Sequence, residues 1–141
     1  MSAALMMAVS LSCLGPVKAE ASVGAELTPA EVQSAVRSTL DHIKATLPPA
    51  ATTVYVPQPA CPGRDSFTPT FNRELARSGY AVAADNGVKG AHFVRYELSA
   101  GDNLLMLRLQ VDNAPAKARA FFRTPQGLVE AGGWTMEVSA R

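Results

Sequence analysis

The chain has 141 residues, of which 48% are hydrophobic and 18% charged, and its formal net charge is +1. This length supports one domain with a core but not two, and the composition is that of a globular chain rather than a disordered or fibrous one. With no basic block, the sequence excludes nucleic-acid binding through phosphate neutralisation. Its two histidines and two cysteines are scattered, so we expect no metal site.

The amino terminus, from Met1 to Gly15, is almost wholly apolar and carries no charge. A run of this length fits the apolar region of a signal peptide and is too short to cross a bilayer. Val17, Lys18 and Ala19 approximate the small-x-small cleavage pattern, so residues 1–19 are predicted to be a signal peptide. We therefore expect export to the periplasm. A buried amino-terminal helix is disfavoured because no polar face accompanies the apolar run.

Cys13 allows a second interpretation, as the lipidated cysteine of a lipoprotein signal that would associate the protein with the outer membrane. The preceding Ser10–Ser12 departs from the usual lipobox, which has an aliphatic residue three positions before the cysteine and a small one two before. Cleavage after Ala19 would instead remove Cys13 and leave Cys61 alone in an oxidising compartment. A single cysteine there indicates either intermolecular pairing or a free thiol, or simply a small, partly buried loop residue.

After a flexible lead over residues 20–27, Thr28 and Glu31 are predicted to form a capping box, with Pro29 at the first helical position. Apolar residues then recur every three or four positions, which predicts an amphipathic helix lying on a core: Val32, Val36, Leu40, Ile43 and Leu47. The two prolines that follow Leu47 end this helix. We assign the neighbouring His42 to the helix surface rather than to a ligand site.

The next segments predict a strand, a helix and a second strand. Thr52–Val56 is rich in β-branched residues, as strands are. The stretch Asp65–Val82, DSFTPTFNRELARSGYAV, predicts a helix that stops at Gly79 and turns into the strand Tyr80–Ala83. One helical face is apolar: Phe67, Phe71 and Leu75. This order predicts a βαβ unit with its two strands parallel and its crossover right-handed.

The carboxy-terminal third alternates between apolar and polar residues in HFVRYELS, LLMLRLQV, KARAFFR and WTMEV. The predicted core-facing residues are Val94, Tyr96, Leu98, Leu105, Leu107, Leu109, Val111, Trp134, Met136 and Val138. Such alternation predicts an antiparallel sheet with one covered and one wet face. The expected fold is an α+β two-layer sandwich, a single domain over residues 28–141. In it, two amphipathic helices pack on one face of a mainly antiparallel sheet of about five to six strands.

No catalytic signature is present. The sequence has no HExxH, CxxC, P-loop or GxGxxG motif, and no defensible Ser/His/Asp or Cys/His arrangement. We therefore expect a protein that is not an enzyme, with no catalytic, cofactor-binding or metal residues, no cofactor and no small-molecule substrate. A hydrolase that uses Cys61 is the most remote alternative.

Candidate partner-facing residues come from two regions. Phe93 and Phe121, with Tyr55, are predicted to fall on the face opposite the core, where an apolar cluster would mark a partner site. The proline-rich loop supplies the others: Pro57, Pro59, Cys61 and Arg64. The basic residues of the strands are interspersed with acidic ones, which indicates a mixed solvated face rather than a basic binding face: Arg95, Arg108, Lys117, Arg119 and Arg123.

Four stretches in a fixed order, between Thr39 and Met136, resemble the TrbH family of conjugal-transfer proteins: TLPPAATTVYV, DSFTPTFNRELARSGYAV, VRYEL with its hairpin, and AGGWT. The resemblance implies a small, non-enzymatic envelope component of a type IV secretion apparatus. Its implied partners are other envelope subunits of that complex, and Cys13 is the only match for the family's lipid-attachment cysteine.

Two functions remain open from the sequence. The leading hypothesis is a structural, binding component of a conjugation apparatus, which docks through an exposed sheet edge and the loop Pro57–Arg64. The alternative is a periplasmic or lipid-anchored envelope protein that binds peptidoglycan or another envelope ligand and is unrelated to secretion.

Overall fold

The structure, a computed structural model, describes residues 21–23, 27–57 and 66–136. Within these ranges, two α-helices, α1 (Pro29–Thr46) and α2 (Phe67–Arg77), accompany a sheet. The strands are β1 (Ala21–Val23), β2 (Thr53–Tyr55), β3 (Ala81–Val82), β4 (His92–Ala100), β5 (Leu104–Val111), β6 (Lys117–Thr124), β7 (Gly127–Glu130) and β8 (Thr135–Met136). Their order across the sheet is β3-β2-β4-β5-β6-β7, with β1 beside β4 and β8 beside β6.

Helix α1 begins with the predicted capping box. The Thr28 hydroxyl accepts from the Glu31 amide at 3.2 Å, and the Glu31 carboxylate accepts from the Thr28 amide at 3.0 Å. These two bonds satisfy backbone donors that have no partner within the helix. The helix ends at Leu47, whose amide donates to the Ile43 carbonyl before the chain enters a 3₁₀ turn over Pro49–Ala51.

Helix α2 buries its predicted apolar face, because Phe67, Phe71 and Leu75 are all at most 1% exposed. It is followed by Gly79 at φ 101°, a conformation that side chains with a Cβ rarely adopt. The Tyr80 hydroxyl then donates to the Leu47 carbonyl at 2.7 Å, which ties the end of α2 to the end of α1. The helix stop predicted at Gly79 is thus confirmed.

The sheet has a parallel corner and an antiparallel body. Strand β2 lies parallel to both β3 and β4, which confirms the predicted parallel pairing in the βαβ unit. From β4 to β7 every neighbouring pair is antiparallel. The side chains predicted to face the core from β4 and β5 do so, because Val94, Tyr96 and Leu98 alternate with more exposed residues, as do Leu105, Leu107 and Leu109. The α+β two-layer sandwich is therefore confirmed.

Three short strands differ from the sequence-based expectation. Ala21–Val23, within the predicted lead, pairs in parallel with Tyr96–Leu98 of β4. Gly127–Glu130 forms β7 beside β6, where no strand was predicted. Both segments are too short to show a periodicity, and the neighbouring long strand supplies the pairing. In the last strand, Met136 was expected to face the core with Trp134, but it is 61% exposed.

Candidate docking surface

The face of the sheet opposite the helices carries a contiguous group of exposed apolar side chains. Leu104 lies opposite Phe122 in the β5–β6 pair, and Phe122 lies opposite Val129 in the β6–β7 pair. Met106 lies two residues beyond Leu104 on the same face. All four are about half exposed, between 48% and 52%. We call Leu104, Met106, Phe122 and Val129 the open-face patch.

The open-face patch is bordered by an ion pair. Glu97 and Arg108 face each other across β4 and β5, with 3.6 Å between carboxylate and guanidinium, and both side chains are about half exposed. Exposed pairs of this kind contribute about 0–1 kcal/mol to stability. This side of the patch is therefore polar, while the patch itself is apolar.

A second aromatic group occupies the far corner of the same face. The rings of Tyr55 and Phe93 meet edge to face at 5.0 Å, and the Arg95 guanidinium lies 5.2 Å from the centre of the Phe93 ring. Phe93 therefore lies on the open face, as predicted, although it is half-buried by its neighbours. This corner offers less exposed apolar surface than the open-face patch.

Asp112 has a left-handed backbone conformation, with φ 54°, and its carboxylate holds this corner together. Its carboxylate accepts from the Phe93 amide at 2.9 Å and contacts His92 Nδ1 at 2.7 Å. Burial acts to raise the pKa of Asp112, but the bonds from His92 and Phe93 outweigh it and hold the pKa below its ordinary value. The Asp112 carboxylate therefore stabilises the end of the β4–β5 pair by binding the first residues of β4.

Phe121 was predicted to face a partner, and this prediction is wrong. Its side chain is 1% exposed and lies opposite the core residue Leu105. Phe122, the next residue, takes the open-face position instead. Because side chains alternate between faces along a strand, a register error of one residue exchanges the two phenylalanines.

Of the predicted partner-facing loop residues, only Pro57 lies within the described part of the chain, and it is buried. A buried ring does not present a surface to a partner, so this prediction is wrong as well. Pro59, Cys61 and Arg64 lie outside the described residues, as does Cys13.

The basic residues of β6 were assigned to a solvated face, but they point toward the helices. Arg123 donates two bonds to the Glu31 carboxylate, at 2.8 and 2.9 Å. Arg119 donates to the Ser38 hydroxyl at 3.0 Å and pairs with Glu130 at 2.7 Å. They lie on that side because Phe121 and its neighbours at intervals of two share one face. These arginines hold the sheet to α1.

The bonds from Arg123 dominate the environment of Glu31. They outweigh the effect of burial and, with the bond from the Thr28 amide, lower the pKa of the Glu31 carboxyl. The Glu31 side chain is 5% exposed, so its charge is compensated locally rather than by water. One carboxylate therefore caps α1 and fastens it to β6.

A groove of about 370 Å³ separates α1 from the outermost strand, β7. Its lining residues come from the helix, from β6 and from β7: Ser34, Arg37, Ser38, Asp41, Phe121, Leu128, Val129 and Glu130. The helix contributes polar side chains to one wall, and the partly exposed Leu128 contributes apolar surface. The groove and the open-face patch thus lie on opposite sides of the same edge of the sheet.

The four residues of the open-face patch were missed in the sequence, although a signal was present. Placing Leu105, Leu107 and Leu109 in the core requires Leu104 and Met106 to lie on the other face with Arg108. The segment LLMLRLQV therefore contains two apolar residues on its solvent-exposed face. Val129 carried no comparable signal, because β7 was not recognised as a strand.

Residues 21–23, 27–57 and 66–136 contain no group of three or more histidine, cysteine, aspartate or glutamate residues that could hold a metal ion. Within the same ranges, no helix is both long and apolar enough to cross a membrane.

The two layers and the apolar patch on the open face define a small α+β domain with an exposed apolar surface. The family model described as conjugal transfer protein TrbH matches residues 15–138, and the chain belongs to this family. It is therefore a conjugal transfer component, and TrbH is not a known family of enzymes. The comparisons with curated proteins and with solved structures gave no match.

Proposed function

We propose that this protein is a non-enzymatic, structural component of the conjugation (type IV secretion) apparatus in the cell envelope. It docks on a larger envelope subunit of the same apparatus through the open-face patch. Membership of a conjugal transfer family supports the setting. The predicted signal peptide over residues 1–19 supports a periplasmic location, with Cys13 as the residue that would add an outer-membrane anchor.

The observation that carries the proposal is the open-face patch itself. A helix layer covers one face of the sheet, while Leu104, Met106, Phe122 and Val129 are held about half exposed on the other. Burying apolar surface stabilises association by about 25 cal/mol per Å² before the costs of binding are subtracted. A contiguous patch on rigid strands is ordered before it meets a partner, which reduces the entropy lost on binding.

The test is co-purification of tagged protein from cells that express the transfer operon. Phe122→Ser removes the largest side chain of the patch without touching the core. We expect it to reduce recovery of envelope subunits by roughly tenfold or more, because central aromatic residues dominate interface energies. Conjugation frequency should fall in parallel.

Val88→Ser is the matched control, because Val88 is 42% exposed but lies in the loop between β3 and β4, outside the patch. It should leave recovery unchanged. Equal losses from both variants, or no loss from Phe122→Ser, would contradict docking through the patch. Mass spectrometry of the mature amino terminus tests the location: lipidated Cys13, a start at Glu20 and an uncleaved chain have different masses.

A further inference from the structure

The outer edge of β7 presents backbone groups that no described residue pairs. The Ala131 amide donates to the Ala120 carbonyl at 2.9 Å, which makes these two residues a hydrogen-bonded pair. Because hydrogen-bonded and non-hydrogen-bonded pairs alternate in an antiparallel ladder, Leu128 and Glu130 are at non-hydrogen-bonded positions opposite β6. Their N–H and C=O groups therefore point away from the sheet.

The groove between α1 and β7 runs beside these backbone groups. Leu128, which is partly exposed, provides apolar surface on one side, and Ser34 and Arg37 provide hydrogen-bond donors on the opposite wall. Its volume of about 370 Å³ is within the range of ligand pockets, about 300–1,000 Å³. An extended chain beside β7 would direct alternate side chains into this groove and the others toward Val129 on the open face.

Gly127 closes one end of the groove. It has φ 126°, and a Cβ on it would lie 3.2 Å from the Ser34 hydroxyl and 3.6 Å from the Ala30 carbonyl. The hairpin between β6 and β7 therefore lies against the first turns of α1, while the rest of β7 diverges enough to leave the groove. The groove thus begins where the unpaired backbone of Leu128 begins.

We infer that an extended segment of another subunit of the transfer apparatus adds to β7 as a further antiparallel or parallel strand. Its backbone bonds to Leu128 and Glu130, and one uncharged side chain enters the groove beside Leu128. This inference rests on the proposed function, because it names a partner from the same apparatus. It adds a second mode of contact to the docking through the open-face patch. In strand addition, backbone bonds supply affinity and alternate side chains supply specificity.

A second copy of this chain fits the edge less well. The antiparallel register that overlaps Leu128–Glu130 with itself places the Glu130 carboxylate of one copy opposite Leu128 of the other. The described lining of the groove holds two carboxylates, Asp41 and Glu130, and one cation, Arg37, so a further carboxylate would meet like charges there. An uncharged side chain from a different segment has no such cost.

The test compares Glu130→Pro with Glu130→Ala. Both variants lose the ion pair with Arg119. Only proline also removes the outward amide of residue 130, and an amide that faces away from the ladder is one that an edge strand can lose. The probe is a set of overlapping synthetic peptides that covers the envelope subunits encoded in the same operon. We expect at least one peptide to bind wild-type protein and Glu130→Ala alike, and Glu130→Pro at least tenfold more weakly.

Hydrogen exchange of the wild-type protein gives a second measurement that needs no variant. On adding a bound peptide, the amides of Leu128 and Glu130 should become protected. The amide of Val129, which already bonds to Phe122, should change little. Protection at Val129 alone, or unchanged exchange at all three amides, would overturn the inference even if Glu130→Pro did not fold.

The outcomes separate this inference from the proposed function. If Phe122→Ser loses co-purification while Glu130→Pro binds as Glu130→Ala does, docking through the patch stands and strand addition is overturned. If no peptide binds, strand addition is overturned as well. A wild-type dimer in sedimentation analysis that dissociates only in Glu130→Pro would assign the edge to a second copy and overturn the partner named here.

Discussion

Phe121 and Phe122 are adjacent in the chain and have opposite surroundings. Phe121 is 1% exposed under the helices, and Phe122 is 51% exposed on the open face. The two faces differ in their charges in the same way. Arg123 and Glu31 form a pair on the covered face, whereas Arg108 and Glu97 are about half exposed on the open face. The covered face holds the fold together, and the open face keeps apolar area that stability does not require.

The two phenylalanines give the largest contrast. Phe121→Ala should destabilise the protein by about 3–5 kcal/mol, because it removes a fully buried ring and leaves a cavity. Phe122→Ala should change the free energy of unfolding by less than about 0.5 kcal/mol, as exposed substitutions usually do. Urea unfolding of both variants measures this. Similar losses in the two variants would mean that the assigned register of β6 is wrong.

The covered ion pair should give the next largest effect. Arg123→Met leaves the Glu31 carboxylate buried without its main partner, and we expect a loss of about 2 kcal/mol, moderated because Arg123 is partly exposed. Adding Glu31→Gln should restore part of this loss, since glutamine still completes the capping box. A double variant no more stable than Arg123→Met alone would show that the buried charge is not the cause. Thermal or urea unfolding measures all three proteins.

Glycine substitutions give a smaller contrast between regions. Gly127→Ala should cost about 1–2 kcal/mol, because φ 126° strains any residue with a Cβ and the Ser34 hydroxyl is 3.2 Å away. Gly132→Ala should be nearly neutral, since Gly132 has no positive φ and nothing lies within 4 Å of its added Cβ. The melting temperatures of the two variants test this, and a neutral Gly127→Ala would refute the close contact of this hairpin with α1.

Lowering the pH should reduce the stability that Glu31 contributes on the covered face. Its folded-state pKa is lowered, so its stabilising contribution is fully present above the unfolded-state value of about 4.3. That contribution is lost as the pH falls through the lower folded-state pKa. The difference in free energy of unfolding between wild type and Glu31→Gln should therefore become smaller as the pH falls below about 4.3. Urea unfolding at neutral and acidic pH measures it, and a difference that stays constant across this range would contradict the prediction.

Much of the fold was predictable because its signals are local. The capping box at Thr28, the apolar face of α2 and the left-handed Gly79 each depend on residues within one or two turns of chain. The alternation in β4 and β5 is long enough to assign faces without knowing the partners. The faces of β6 could not be assigned from its alternation in the same way. Its segment KARAFFR has two adjacent phenylalanines, and its basic residues lie on the covered face.

The sequence by itself determined the helices, the long strands and the likeness to the TrbH family, since these follow from periodicity, capping and the order of motifs. Only the tertiary structure decided which phenylalanine is exposed, that Arg119 and Arg123 bind α1, and that β7 forms an edge beside a groove. Each of these depends on pairing between residues distant in the chain, and a one-residue change in register reverses the outcome. The candidate docking surface belongs to this second group, because exposure is a property of what packs nearby.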